Sequence, residues 1–158
     1  LLDLFPVDFE FACYADITRT VAVGEVGDEV REWHALCLEA IELSASEVRP
    51  GADGGEIHRL VSRFFADRGF PTQLTKAEGE VLREGFYHGL GHGVGLEVHE
   101  RPSLGMLGDE LVAGDVITIE PGLYRHGVGG VRVEDLLLVT EDGYERLTDC
   151  PYDLEVSA

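Results

Sequence analysis

Apolar and polar positions alternate through the first 24 residues in two stretches. Leu1-Leu2-Asp3-Leu4-Phe5 is a short apolar strand carrying one charge. Pro6 to Glu10 supply a turn, and Phe11 to Gly24 resumes with the β-branched Ile17, Thr18, Thr20, Val21 and Val23. The pattern predicts a β-hairpin. On its second strand Asp16, Thr18 and Thr20 share one face, and Ile17, Arg19, Val21 and Val23 the other. The period then changes. Val30, Trp33, Cys37, Ala40, Ile41, Ala45 and Val48 recur at three- and four-residue steps, which predicts a helix over 28–48, stopped by Arg49-Pro50-Gly51. A second helix begins near Asp53, with Glu56 placed as its capping-box partner. Ile57, Leu60, Val61, Phe64 and Phe65 form its buried stripe, and Gly69 ends it. Residues 71–85 read either as a loop or as a short exposed helix. From Phe86 to Leu96, Gly89, Gly91, Gly93 and Gly95 alternate with other residues, a spacing that implies backbone packed closely against a neighbour. DVITIE (115–120) is a strand halted by Pro121-Gly122. VRVEDLLLVT (131–140) is another, followed by the turn Glu141-Asp142-Gly143. A hairpin, two helices and further strands make an α+β pattern, unlike a doubly wound βαβ one.

Length and charge narrow the possibilities. The 158 residues amount to about one domain, and 44% apolar content supports a core. A net charge of −19 opposes nucleic-acid binding, which depends on neutralising phosphates, and opposes an anionic membrane surface. No run of eighteen apolar residues predicts a membrane span. Cys13, Cys37 and Cys150 are odd in number and lack C-x-x-C spacing, so neither a disulfide framework nor a zinc knuckle is supported; a reducing, cytoplasmic setting fits.

The candidate chemistry lies in acids set within β-prone, apolar sequence: Asp3, Asp16, Glu120 and Glu134. Burying an unpaired carboxylate costs several kcal/mol. Four would exceed the roughly 5–15 kcal/mol stability of a whole domain. Arg132, two residues from Glu134 and on the same strand face, is the nearby cation, and one guanidinium cannot balance four acids. A pair of divalent metal ions can. His88, His92 and His99 fall within twelve residues of the glycine-rich segment. One imidazole with four carboxylates is an oxygen-dominated donor set that suits Mn(II), Fe(II) or Co(II), and Zn(II) less uniquely. Each residue also has a plainer reading. Asp3 and Asp16 read as strand-end or edge charges, Glu120-Pro121-Gly122 as a turn, Glu134-Asp135 as a solvated pair, and His88 and His99 as surface or satisfied histidines.

Taken together, these segments resemble the pita-bread metallopeptidases, in particular the Xaa-Pro branch of prolidase and aminopeptidase P. DITRTVAVG (16–24), HGLGHGVGLEVHERP (88–102), TIEPGLY (118–124) and GVRVEDLLLVTEDGYERLT (130–148) occur in that family's order. The resemblance implies an antiparallel curved sheet covered by helices. It also implies five metal ligands, Asp3, Asp16, His92, Glu120 and Glu134, with Asp16 and Glu134 bridging two ions. Glu120 is further implied as proton shuttle, His88 and His99 as substrate-binding catalytic residues, and Arg132 as a brace behind the ligands. The implied reaction is attack of a metal-bridging hydroxide on the bond before proline, in a peptide with proline at its second position. Family members are often homodimers. Two departures stand out: Asp3 and Asp16 are thirteen residues apart with Pro6 between them, and the family's usual stretch before the first aspartate, with its own substrate histidine, is expected to be missing from this partial catalytic domain. The alternatives are another pita-bread enzyme, such as methionine aminopeptidase, or a non-catalytic, peptide-binding fragment on the same fold.

Overall fold

The computed structural model describes residues 1–155. Strand β1 (Leu2–Leu4) pairs antiparallel with β2 (Ile17–Arg19), placing Asp3 opposite Thr18. The hairpin matches the alternation, but its turn lies further along than Pro6 to Glu10. Val7 bridges Tyr14, the Asp8 N–H donates to the Cys13 carbonyl at 2.8 Å, and Asp8 Oδ1 accepts from the backbone of Glu10 and Phe11. An aspartate side chain that mimics a backbone turn therefore outranks the proline as the local signal. Cys13 sits exposed on this turn.

Helix α1 (Asp28–Ala45) buries Trp33, Cys37, Ala40, Ile41 and Ala45 on the anticipated stripe. It ends at Ala45, and Val48 reaches the core from the turn that follows. Helix α2 (Gly54–Ala66) is capped by Asp53, whose Oδ1 accepts from Gly55 and Glu56 N–H at 2.6 and 3.1 Å. Glu56 does not close the box; it pairs with Arg59 at 2.9 Å. Residues 71–83 form a loop held by Thr72 and Thr75, leading into the short β3 (Glu84–Gly85).

The remaining strands are β4 (Gly91–Gly93), β5 (Glu100–Leu104), β6 (Val116–Ile119), β7 (Gly122–Arg125), β8 (Gly129–Arg132), β9 (Asp135–Val139) and β10 (Tyr144–Arg146). They form a five-stranded antiparallel sheet in the order β10-β9-β6-β4-β5 and a three-stranded one, β3-β7-β8. The helices pack against these sheets, with Phe65, Phe86, Leu90, Leu123, Val131 and Leu137 filling the space between.

One feature of the sheets decides where the acids go. VRVEDLLLVT is not a single strand. It breaks at Val133–Glu134, opposite the break at Glu120–Pro121, so that β6-β7 and β8-β9 are one long hairpin bent across its middle. At the bend the two glutamates lose their ladder partners. The Glu120 N–H donates to Leu90 instead, at 2.8 Å, and the Glu134 N–H to Thr18, at 3.1 Å. Both glutamates therefore sit at the same bend, and the bond to Thr18 docks β2 onto it.

Buried His58 gives a first prediction. It is 1% exposed, against Phe86, and its Nε2 lies 3.4 Å from Ser62 Oγ. Burial, then the neighbouring His88, pushes its pKa from 6.5 down to about 4. A depressed folded value means that the unfolded chain binds the proton first. The stability is complete above 6.5 and is lost as pH falls toward 4. Chemical denaturation is expected to lose on the order of 3 kcal/mol from His58 across that window, and His58→Asn is expected to remove that part of the slope. An unchanged slope in the variant would assign it to other groups.

Candidate metal centre

The bend, β2 and β4 converge on one cavity of about 340 Å³, lined by Asp3, Phe5, Asp16, His92, Val98, His99, Glu120 and Arg132. His92 enters it from β4 because that strand lies unusually close to its neighbours. A Cβ at Gly91 would collide with the Thr118 carbonyl, and one at Gly93 with the Arg101 carbonyl. The glycine spacing thus has its physical cause: only glycine admits this approach. The Thr118 hydroxyl accepts the His92 N–H at 3.0 Å.

Asp16, His92 and Glu134 each offer a ligand atom within 4.8 Å of the others. Glu120 adjoins them, with Oε1 3.6 Å from His92 Nε2. Asp3 lines the same cavity from β1, but its carboxylate is paired with Arg132 and lies outside the tight trio. Arg132 also stands 3.7 Å from Glu120 and donates from Nε to the Thr18 hydroxyl at 3.0 Å. His99 is exposed at the cavity edge, its ring centroid 4.3 Å from that of His92. His88 does not line the cavity. Its Nδ1 bonds the Gly89 carbonyl and its Nε2 the Tyr124 hydroxyl at 2.9 Å.

Two site residues were not singled out by the sequence. The Thr18 hydroxyl donates to Glu134 Oε2 at 2.5 Å while accepting from Arg132, so it aims the glutamate. Its position two residues after Asp16, on the same strand face, was the available signal. Tyr124 holds His88 from β7, and the signal available for it was its place at the end of the TIEPGLY segment.

The electrostatics of this cluster ask for a cation. His92 Nδ1 faces the Gly93 carbonyl at 3.0 Å and must donate to it, which leaves the Nε2 lone pair directed at Asp16 and Glu120. Asp16 Oδ1 is buried with no hydrogen-bond partner. Burial, followed by Glu134, pushes Glu120 up to about 8, and burial pushes Glu134 up to about 7 against the Thr18 hydroxyl. Burial, then Asp3, also raises Asp16. Acceptors that face acceptors in a buried pocket are the donor set of a metal site, and the residues present fit a hard or borderline divalent ion.

Residues 4–141 match metallopeptidase family M24. The chain belongs to that family. An M24 relative, the Xaa-Pro dipeptidase of Pyrococcus horikoshii, is 38% identical over 141 residues, covering 89% of this chain and 37% of its own length. The crystal structure of the prolidase from Pyrococcus horikoshii superposes with a TM-score of 0.81 at 37% identity, over 96% of this chain and 40% of that one. The X-Pro aminopeptidase from Thermotoga maritima gives 0.79 at 37% identity, over 92% of this chain and 38% of that one. The bent hairpin, its flanking strands and the two helices are thus part of the pita-bread fold of the M24 enzymes. The chain spans between 37% and 40% of the length of the curated relatives it matches first.

Proposed function

We propose that the protein carrying this M24 segment is a dinuclear-metal exopeptidase that hydrolyses Xaa-Pro bonds, and that residues 1–158 are the ligand-bearing part of its catalytic domain. The observation that carries this reading is the convergence of Asp16, His92, Glu120 and Glu134 at one bend, their lone pairs opposed and no cation among them sufficient to balance the charge. The names of the relatives, an Xaa-Pro dipeptidase and an X-Pro aminopeptidase, support the substrate class.

Asp3, Asp16, His92, Glu120 and Glu134 would hold the ions. Mn(II) or Co(II) is proposed from the single imidazole among oxygens. Bound ions supply a water of near-neutral pKa and polarise the carbonyl that precedes proline. The chain's own residues do the rest. Glu120 accepts the proton of the attacking water on its carboxylate and delivers it to the departing imino nitrogen. It is placed for this task by lining the cavity, its Oε1 3.6 Å from His92 Nε2. Arg132 keeps Asp3 and the Thr18–Glu134 pair oriented. His99, at the cavity edge, is assigned to hold the substrate and the developing oxyanion. His88 is proposed as a substrate residue through the family resemblance alone, since it stands outside the cavity with its Nε2 against Tyr124. An Xaa-Pro amide has no N–H and restrains its neighbours, so ordinary peptidases accommodate it poorly. The acidic cluster provides a partner for a free amino terminus. Three free thiols, with Cys13 exposed, accord with a reducing, cytoplasmic setting.

The test is hydrolysis of Ala-Pro and Ala-Pro-Xaa peptides by the full protein before and after chelation. Cleavage that is lost with chelator and regained with Mn(II) or Co(II) is expected; a metal-loaded protein that leaves both peptides intact overturns the reading. His99→Ala is expected to keep its metal and lose roughly 100-fold in rate. Loss of metal in that variant would make His99 a ligand instead.

A further inference from the structure

Arg19 lies on the face of β2 opposite Asp16, where alternation places it away from the site, yet it is 9% exposed. Every one of its five N–H groups is used. Nε donates to the Pro151 carbonyl at 3.0 Å. Nη1 donates to the Thr18 and Glu134 carbonyls at 3.0 and 2.6 Å, and Nη2 to Asp135 Oδ1 and the Cys150 carbonyl at 3.0 and 2.9 Å. One planar side chain thus joins β2, the peptide of Glu134 at the bend, and residues 150–151. The Thr18 carbonyl that it grips is the one that accepts the Glu134 N–H.

The segment that follows β10 is laid across β9 and β2, the strands that follow Glu134 and Asp16. Leu147 donates to Leu136, and the Thr148 hydroxyl accepts from Leu136 N–H at 2.8 Å. The Tyr152 hydroxyl bonds Asp135, while its ring lies beneath the Arg19 guanidinium, 4.4 Å away. Leu154 then accepts from Ala22, beyond the end of β2. Residues 147–154 therefore run from β9 to β2 as a strap, outside the region that matches the family.

We propose that Arg19 is a positioning residue for the metal centre. By tying the strap to the Glu134 peptide it fixes that glutamate's backbone, and so the affinity of the site for divalent ions. This inference rests on the metal reading above. It also differs in sign from a role through charge alone. A cation near ligand carboxylates repels a metal ion, so removing one would tighten binding. Loss of a positioning group loosens it, by roughly 10–100-fold when such outer partners are removed.

The experiment is calorimetric titration of the metal-free protein with Mn(II), repeated for Arg19→Lys and Arg19→Met, with the visible absorption of bound Co(II) as a report of ligand arrangement. Lysine keeps the charge and offers three donors in place of the planar five. Affinity is expected to fall about 10-fold or more for lysine, further for methionine, with an altered Co(II) spectrum in both. Tyr152→Phe, which leaves Arg19 in place and frees one contact on Asp135, is expected to shift affinity in the same direction by a smaller factor, and it carries the test if the Arg19 variants do not fold. Unchanged or tighter Mn(II) binding in the folded variants overturns the proposal while leaving the metal reading intact. Absence of Mn(II) binding in the unaltered protein overturns the metal reading itself, and the proposal with it.

Discussion

Glu134→Gln is expected to abolish tight Mn(II) binding and, in the metal-free protein, to raise stability above neutral pH. Both effects follow from one buried carboxylate. Glu134 is 2% exposed, and burial lifts its pKa from 4.5 to about 7. A raised folded value means that the contribution to stability is complete below 4.5 and is lost as pH climbs through 7. The cost of ionising Glu134 in the metal-free site is on the order of 3 kcal/mol. Glu120 adds a cost of the same sign over a range reaching about 8. Glutamine fills the same space and carries no charge, so the metal-free variant escapes its share. Mn(II) is expected to restore the unaltered protein, since an ion at ~1,000 times its Kd returns about 4 kcal/mol. Thermal melts of both proteins near pH 8, with chelator and with Mn(II), check this. The expected crossing is a variant that is more stable without metal and indifferent to it when added. A variant that gains as much from Mn(II) as its parent would remove Glu134 from the ligand set.

Glu120→Gln is expected to cut turnover of Xaa-Pro peptides by roughly 10²–10⁴-fold at saturating metal. Glutamine preserves shape and can still accept a hydrogen bond, but it has no site for a proton. Burial raises the Glu120 pKa to about 8 in the metal-free site, and a bound cation brings it back down. A group tuned in this way can take and return a proton in each cycle. Rates measured with the bound metal quantified separate loss of the proton shuttle from loss of the ion. A variant that turns over within 10-fold of its parent while fully loaded would move the proton step to another residue.

Much of this architecture is legible in the residues. The stripe from Trp33 to Ala45, the Asp53 cap and the glycines flanking His92 each have a local cause, and each appears where local reasoning places it. The bend at Val133–Glu134 does not. VRVEDLLLVT is β-prone throughout, and what breaks it is a hydrogen bond to Thr18, more than a hundred residues away in sequence. Arg19 was hidden for a similar reason. Alternation correctly gives its strand face, but the strap that covers that face comes from the far end of the chain. The site shows the same division. Asp16, His92, Glu120 and Glu134 meet because the bend and β4 bring them together. Asp3 is drawn to Arg132 and His88 to Tyr124 by contacts that no spacing rule contains.

The most direct test is to count the divalent ions each chain holds after equilibrium dialysis against Mn(II), by elemental analysis. The account predicts two per chain in the protein as it stands, with the pair lost when Glu134 becomes glutamine. A chain that holds none, or that keeps two without that carboxylate, would contradict it.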